Sequence, residues 1–169
     1  MKNVLVTGGA GYIGSHIVEL LVKKKYKVFI VDNLVTGYRK LINKKAKFYK
    51  LNILNSNKIK KIIIKNNISS IIHLAASLSI GMGEKYPKSY YKNNVQGAKN
   101  LMKACKNTNI KNFIFSSTAA IYKEGLEQVT EKSEIKPKSV YGKTKRKAEK
   151  IFINFSKKYK LNYGILRYF

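Results

Sequence analysis

Two residues suited to proton transfer stand four positions apart, Tyr141 and Lys145 in the run Tyr-Gly-Lys-Thr-Lys. This spacing places both side chains on one face of a helix. A free phenol is a poor base at neutral pH because its pKa is about 10. A neighbouring ammonium favours the phenolate and lowers that pKa, so the pair predicts a base that takes a proton from an alcohol.

Three hydroxyl residues, Ser116, Ser117 and Thr118, follow a run of residues that is typical of a strand. Parallel sheets of α/β proteins bind ligands beyond the carboxyl ends of their strands. We therefore expect these hydroxyls to lie where they can hydrogen-bond a substrate hydroxyl. The Tyr141–Lys145 spacing alone is weak evidence for a catalytic pair, because it arises easily by chance in a chain with 12 tyrosines and many lysines. The three hydroxyl residues strengthen that evidence.

A glycine-rich turn follows the first predicted strand. Gly9, Gly11 and Gly14 have the spacing G-x-G-x-x-G, and Gly8, Gly11 and Gly14 have the related spacing G-x-x-G-x-x-G. Glycine allows a sharp turn, close approach of the backbone to a pyrophosphate, and close packing of the next helix on the sheet. The pyrophosphate then meets free N–H groups at the helix N-terminus. Because the motif lies between a predicted strand and helix, it indicates a dinucleotide site rather than a structural turn.

The second predicted strand ends near Asp32, about 20 residues past the glycines. A carboxylate at this position accepts hydrogen bonds from a ribose diol and repels a 2′-phosphate. The sequence therefore predicts NAD rather than NADP as the cofactor.

The elements that must position these residues alternate along the chain. Helical spacing predicts helices over 13–22, 87–106 and 139–159, and a fourth that Ser56 caps and that runs to Asn66. Strands are predicted over 2–7, 27–31, 47–51, 69–74, 112–116 and 163–168. This alternation is typical of an α/β fold with a doubly wound parallel sheet. We expect one dinucleotide-binding domain over 1–169, and the lack of a closing helix after the last strand suggests a longer protein cut short.

Composition excludes several classes of protein. The net charge is +27, but three of the 35 basic residues are arginine and the lysines are scattered, which favours compositional drift over a specific nucleic-acid partner. No apolar run approaches the roughly 18 residues of a membrane span, and the start does not resemble a signal peptide, so we expect a soluble cytoplasmic protein without a membrane partner. Cys105 is the single cysteine, so no disulfide framework or metal site is expected. His16 and His73 are interpreted as structural residues.

Taken together, these motifs resemble the extended short-chain dehydrogenase/reductase family and, within it, the UDP-glucose 4-epimerases. The matching segments occur in the family's order at 7–16, 32–34, 73–76, 90–95, 115–122, 137–145 and 166–169. Sugar-nucleotide 4,6-dehydratases of this family carry an acidic pair after the active-site threonine. Here Ala119 and Ala120 follow Thr118, which favours an epimerase.

The resemblance implies interconversion of UDP-glucose and UDP-galactose through a 4-keto intermediate. Tyr141 would take the proton of the sugar 4-hydroxyl while C4 gives a hydride to bound NAD. Lys145 would tune Tyr141 and hold the nicotinamide ribose, and Thr118 would bridge the 4-oxygen and the phenol.

The resemblance also implies which residues hold the cofactor. Those expected at the pyrophosphate are Gly8, Gly11, Tyr12, Ile13 and Gly14, those around the adenosine ribose are Asp32, Asn33, Leu34, Val35, Thr36 and Gly37, and those beside the adenine are Asn52 and Ile53. Those expected at the nicotinamide half are Leu74, Ala75, Ala76, Ser77, Leu78, Asn93, Thr118, Tyr141, Lys145 and Phe169. Asn52 replaces a usual aspartate, and Leu78 replaces a lysine found in some epimerases.

Other functions remain open at this stage. Family members are usually longer, and their second half builds most of the substrate pocket, so the expected C-terminal part is absent from these 169 residues. The chain is then either an epimerase, a catalytically inactive NAD-binding module, another sugar-nucleotide epimerase or reductase, or a polyanion-binding protein. The family usually dimerises through the helices predicted at 87–106 and 139–159, so we expect a homodimer.

Overall fold

The computed structural model describes residues 2–125 and 127–169, which form a parallel sheet of six strands. The strands are β1 Asn3–Thr7, β2 Lys27–Asp32, β3 Lys47–Lys50, β4 Ser70–His73, β5 Asn112–Thr118 and β6 Asn162–Tyr168. Their order across the sheet is β3-β2-β1-β4-β5-β6, and every neighbouring pair is parallel. The predicted doubly wound α/β fold is confirmed.

Helices lie on both faces of the sheet. They are α1 Tyr12–Lys23, α2 Ser56–Lys65, α3 Ile80–Lys85, α4 Pro87–Tyr90, α5 Gly97–Cys105 and α6 Val140–Lys158. A π-helical stretch, Tyr91–Gln96, joins α4 to α5, and short 3₁₀ turns occur at Arg39–Leu41 and Ala119–Ile121. None of the helices in the described residues is long and apolar enough to cross a membrane.

Three local features differ from the sequence-based predictions. Asn55, not Ser56, caps α2, because its side chain accepts a hydrogen bond from the Lys58 amide at 3.0 Å. The glycine-containing helix α3 was not predicted; Ser79 caps it by accepting from the Met82 amide. The helix predicted over 87–106 ends at Cys105 and contains the π-helical stretch.

Aromatic packing fixes α6 against β5. The Phe152 ring centroid lies 4.7 Å from that of Phe113 and 4.5 Å from that of Phe115. All three side chains are almost fully buried, and burial of one phenylalanine contributes about 1.5–3 kcal/mol. This contact places the amino-terminal half of α6 beside the carboxyl end of β5.

The sheet order changes direction between β1 and β4, which are neighbours in space but not in sequence. Helices that follow two such strands diverge to opposite faces and leave a crevice at the carboxyl ends. The chain segments at this point are the glycine turn after β1 and the residues that follow His73.

Candidate functional site

A crevice opens at this change of direction in the sheet. It is lined by Gly8, Gly11, Val31, Asp32, Asn33, Thr36, Leu51, Ile53, Leu74, Ala75, Ala76 and Asn93. All but Val31 and Leu51 were predicted as cofactor-binding residues. The structure therefore brings segments from four strand ends into one cavity at the carboxyl edge of the sheet.

The glycine turn is shaped by close backbone contacts. Gly8 has a φ of +77°, and a Cβ there would lie 2.7 Å from the Ala75 amide nitrogen. A Cβ on Gly14 would lie 2.1 Å from the Gly8 carbonyl oxygen. Among the described residues, a Cβ on Gly11 would meet only the Gly8 carbonyl, at 3.4 Å. Glycine at Gly8 and Gly14 thus closes the turn, and glycine at Gly11 leaves open space before it.

Gly11 is also the N-cap of α1, and no side chain of the described residues caps this helix. The first amides of a helix have no partner within the helix, and the dipole of α1 adds positive potential at the same end. Open space and a helix N-terminus together suit the pyrophosphate of a dinucleotide.

Asp32 is held by backbone amides on both sides of its carboxylate. Oδ2 accepts from the Ala10 amide at 3.0 Å, and Oδ1 accepts from the Leu34 amide at 2.8 Å. A carboxylate accepts about four hydrogen bonds. Asp32 therefore keeps free acceptor capacity in the crevice, which suits a ribose diol.

The two residues expected beside an adenine differ in their surroundings. Ile53 is buried and lines the crevice, and it packs on Gly97, where a Cβ would lie 2.5 Å from the isoleucine Cδ1. Asn52 is exposed, and its side-chain oxygen accepts from the Leu54 amide at 2.9 Å. The Asn52 side-chain oxygen thus already accepts one hydrogen bond within a local turn.

Asn94 joins the loop after β4 to α6, a role that the sequence did not reveal. Its Oδ1 accepts from the Ser77 amide at 2.8 Å, and its Nδ2 donates to the Ser77 carbonyl and to the Thr144 hydroxyl. Asn93 donates to the Ser77 hydroxyl at 3.0 Å. Both asparagines belong to the π-helical stretch, a conformation that is frequent at functional sites. The sequence signal for this irregular stretch was the pair of consecutive asparagines within the predicted helix.

The first turn of α6 brings Tyr141 to the end of β5. Ser139 caps the helix by accepting from the Gly142 amide, and a Cβ on Gly142 would lie 2.3 Å from the Ala120 carbonyl oxygen. Because Gly142 has no side chain, the start of the helix packs directly against the 3₁₀ turn that follows Thr118. The Thr118 hydroxyl lies within hydrogen-bonding reach of the Tyr141 phenol.

The pKa of Tyr141 differs from the prediction. Burial raises the pKa of the Tyr141 phenol; a hydrogen bond from Thr118 lowers it, and Tyr90 raises it further. The sequence predicted a lowered pKa caused by Lys145. Burial of the phenol is the largest cause of this shift, and the Lys145 ammonium donates to the Ser116 carbonyl.

Lys145 is buried, with 2% of its surface exposed. Its Nζ donates to the Ser116 carbonyl at 2.6 Å and lies 4.4 Å from the Phe115 ring centroid. Burial lowers the pKa of Lys145 to about 7, although Glu149 opposes this shift. Lys145 is therefore partly neutral near pH 7, whereas the sequence predicted an ammonium beside the phenol.

His73 is buried at the carboxyl end of β4. Its Nδ1 lies 2.5 Å from the Thr7 hydroxyl, and its ring stacks on Phe115. Burial and the nearby Lys145 lower the pKa of His73 to about 3, so the ring is neutral at physiological pH. The contact ties the end of β1 to the end of β4.

Some predicted residues lie outside the crevice lining. Phe169 is 92% exposed and borders a separate groove with Tyr122 and Arg167. The others outside the lining are Tyr12, Ile13, Gly14, Leu34, Val35, Gly37, Asn52, Ser77 and Leu78, together with the candidate catalytic residues Thr118, Tyr141 and Lys145. Across residues 2–125 and 127–169, no three histidine, cysteine, aspartate or glutamate side chains form a cluster that could hold a metal ion.

Several known proteins are similar to this chain in fold and in sequence. A UDP-glucose 4-epimerase of Lactobacillus helveticus is 41% identical over 169 residues, which cover 98% of this chain and 51% of that protein. The crystal structure of a Brucella ovis UDP-glucose 4-epimerase in complex with NAD superposes with a TM-score of 0.95 at 37% identity, covering 100% of this chain and 52% of that one. A Thermotoga maritima UDP-glucose 4-epimerase with UDP-glucose gives a TM-score of 0.94 at 37% identity, covering 98% and 55%.

The chain spans about half the length of the curated relatives that it matches. A family model matches residues 4–169, which include the glycine turn, Asp32 and the Tyr141–Lys145 pair. The resemblance inferred from the motifs is thereby confirmed, and the chain belongs to the NAD dependent epimerase/dehydratase family.

Proposed function

We propose that this chain binds NAD in the crevice and works as a cytoplasmic UDP-glucose 4-epimerase. The open space before Gly11 and the free acceptor capacity of Asp32 support a dinucleotide with a ribose diol. The similar fold of the Brucella ovis enzyme, whose crystal structure contains NAD, also supports NAD as the ligand.

The single observation that carries the catalytic part of the proposal is the grouping of Thr118, Tyr141 and Lys145 at the end of β5. When bound, NAD supplies a hydride acceptor and donor. In its phenolate form, Tyr141 takes the proton of the sugar 4-hydroxyl and becomes the phenol, and Thr118 hydrogen-bonds the tyrosine oxygen. Lys145, held at the Ser116 carbonyl one helical turn after Tyr141, favours the phenolate when its side chain is protonated.

No carboxylate directly follows Thr118 in the sequence, where Ala119 and Ala120 stand. An elimination of water from the sugar needs an acid near the departing hydroxyl. Reversible oxidation at C4 uses the tyrosine, the threonine, the lysine and the nicotinamide, and needs no further acid. The site thus favours epimerisation of UDP-glucose and UDP-galactose over dehydration.

The cofactor part is tested by calorimetry with NAD and NADP on the wild type and on Asp32→Ala. We expect NAD to bind more tightly than NADP. The substitution should weaken NAD binding by roughly 10- to 100-fold, because hydrogen bonds to a charged group contribute about 1.5–3 kcal/mol. Glu134→Ala, an exposed carboxylate paired with Lys123, is the matched control. Equal NAD affinity of Asp32→Ala and the wild type would contradict the assignment.

The catalytic part is tested with UDP-galactose as substrate. Tyr141→Phe removes the phenolic oxygen alone, so it should lower kcat by about 100-fold or more and leave NAD affinity nearly unchanged. A wild type that binds NAD but converts no UDP-galactose would reject the epimerase proposal and support an NAD-binding module without catalysis.

We further propose a homodimer formed through α4, α5 and α6. Two copies of a chain with a charge of +27 repel each other, and salt screens this repulsion. Analytical ultracentrifugation should therefore show a dimer fraction that increases with salt concentration. A monomer at every salt concentration would contradict this proposal.

A further inference from the structure

Glu149 is a fully buried carboxylate, one helical turn after Lys145 on α6. Its two oxygens accept from the Ser117 hydroxyl at 2.5 Å, from Arg146 at 2.8 Å, and from Arg167 at 3.0 and 3.2 Å. Burial alone would raise the pKa of Glu149, but the hydrogen bonds from Arg167, Ser117 and Arg146 outweigh it and lower the pKa. The group is therefore a buried, ionised carboxylate with its partners in place.

The partners of Glu149 come from different elements. Ser117 belongs to β5 and Arg167 to β6, so the carboxylate joins α6 to both strands. Arg167 also donates to the Tyr122 hydroxyl at 2.6 Å, just after the 3₁₀ turn Ala119–Ile121. One side chain thus fixes the carboxyl ends of β5 and β6 relative to the helix that carries Tyr141.

Ser117 lies in β5 between the two residues that contact Lys145 and Tyr141. Its preceding neighbour Ser116 provides the carbonyl that holds the Lys145 ammonium. Its following neighbour Thr118 provides the hydroxyl beside Tyr141. A shift of Ser117 therefore moves both contacts of the catalytic pair. Glu149 also acts on Lys145 through its charge, which raises the pKa of the lysine against the effect of burial.

We propose that Glu149 is a positioning residue: through Ser117 and Arg167 it sets the end of β5, and thereby the Ser116 carbonyl and the Thr118 hydroxyl that orient Lys145 and Tyr141. This inference rests on the proposed roles of Thr118, Tyr141 and Lys145. Glu149 neither binds substrate nor transfers a proton.

The test is a double-mutant cycle on the full chain with Glu149→Gln, Ser117→Ala and the double variant. Glutamine keeps the shape of the side chain but places a donor against the arginines, so kcat should fall by about 10-fold or more with KM nearly unchanged. Ser117→Ala leaves the arginine pairs intact and should lower kcat less. Because both substitutions loosen the same strand end, the double variant should be less impaired than the product of the two single effects.

A purely structural role predicts a different pattern. The melting temperature would fall in Glu149→Gln while kcat stayed as in the wild type, and that result would overturn the proposal. So would additive effects of the two substitutions on kcat. Glu134→Gln, the same substitution in an exposed ion pair, should change neither quantity. Ser117→Ala keeps the test valid if Glu149→Gln does not fold.

A readout without turnover separates this inference from the proposed function. The backbone amide resonances of Ser116 and Thr118, measured by NMR, should shift in Glu149→Gln and stay unchanged in Glu134→Gln. If the wild type shows no epimerase activity, the proposed function fails, but the amide shifts still decide whether Glu149 sets the end of β5. Unchanged amide resonances of Ser116 and Thr118 in folded Glu149→Gln would reject the positioning role.

Discussion

Lys145→Met is expected to abolish turnover while raising the melting temperature of the chain at pH 6. The loss of activity, about 100-fold or more, follows from removing the cation beside the proposed base. The gain in stability follows from burial: an ammonium with 2% exposure is costly to fold, and methionine has a similar length without charge. Functional residues often trade stability for activity in this way.

The pH dependence of this effect has a defined sign. The pKa of Lys145 is lowered from 10.5 to about 7 on folding. Between these values the unfolded chain binds a proton that the folded chain does not, so stability rises with pH. The full cost of the buried charge is present below pH 7 and is relieved as the pH rises above it. Methionine removes both the cost and its pH dependence.

Thermal melts at pH 6 and pH 9 check this prediction. The difference in melting temperature between Lys145→Met and the wild type should be several degrees at pH 6, since 1 kcal/mol corresponds to about 2–4 °C in a domain of this size. It should shrink at pH 9. Lys143→Met removes an exposed lysine from the same helix and controls for the change in net charge. A Lys145→Met variant less stable than the wild type at pH 6 would show that the ammonium stabilises the fold.

Much of the fold was predictable because its signals are local. The strands ending near Thr7, His73 and Thr118 consist of short apolar or β-branched runs, and the intervening segments have helical spacing. Where local signals were weak, the prediction failed. The helix Ile80–Lys85 contains two glycines and six residues, and it forms against the start of α6, where Glu84 accepts from the Val140 amide.

The site was predictable to the extent that its motifs are contiguous. The glycine turn and the Tyr141–Lys145 pair are each contained in a short stretch of sequence, and Asp32 is recognised by its place at the end of the second predicted strand. Asn94 and Glu149 act on partners 50 and 32 residues away, and no spacing rule connects such pairs.

The pKa of Tyr141 was mispredicted for a related reason. Helical spacing places Lys145 on the same face as the phenol but does not say where the ammonium points. The Ser116 carbonyl and the Phe115 ring decide that direction, and both belong to β5. Burial of the phenol, which dominates its pKa, is likewise a property of the packed structure.

Gly14→Ala is expected to destabilise the chain and to weaken NAD binding more than 10-fold, although helix propensity favours alanine. The added Cβ would lie 2.1 Å from the Gly8 carbonyl oxygen and 2.8 Å from the Gly9 Cα. Both are backbone atoms of the glycine turn, so relief requires that the turn or α1 move. Overpacking of this kind costs about 1–3 kcal/mol, more than the roughly 1 kcal/mol that alanine gains over glycine in a helix.

Gly81→Ala provides a matched control on helix α3. A Cβ there meets no atom of the described residues within 4 Å, so alanine should gain its helix propensity without strain. Denaturant titrations should therefore show opposite signs: a lower unfolding free energy for Gly14→Ala and an equal or higher one for Gly81→Ala. Calorimetry then connects packing to function, because the displaced turn is the same backbone that leaves open space before Gly11. A Gly14→Ala chain with wild-type stability and NAD affinity would show that close packing of α1 on the turn is not what shapes the cofactor site.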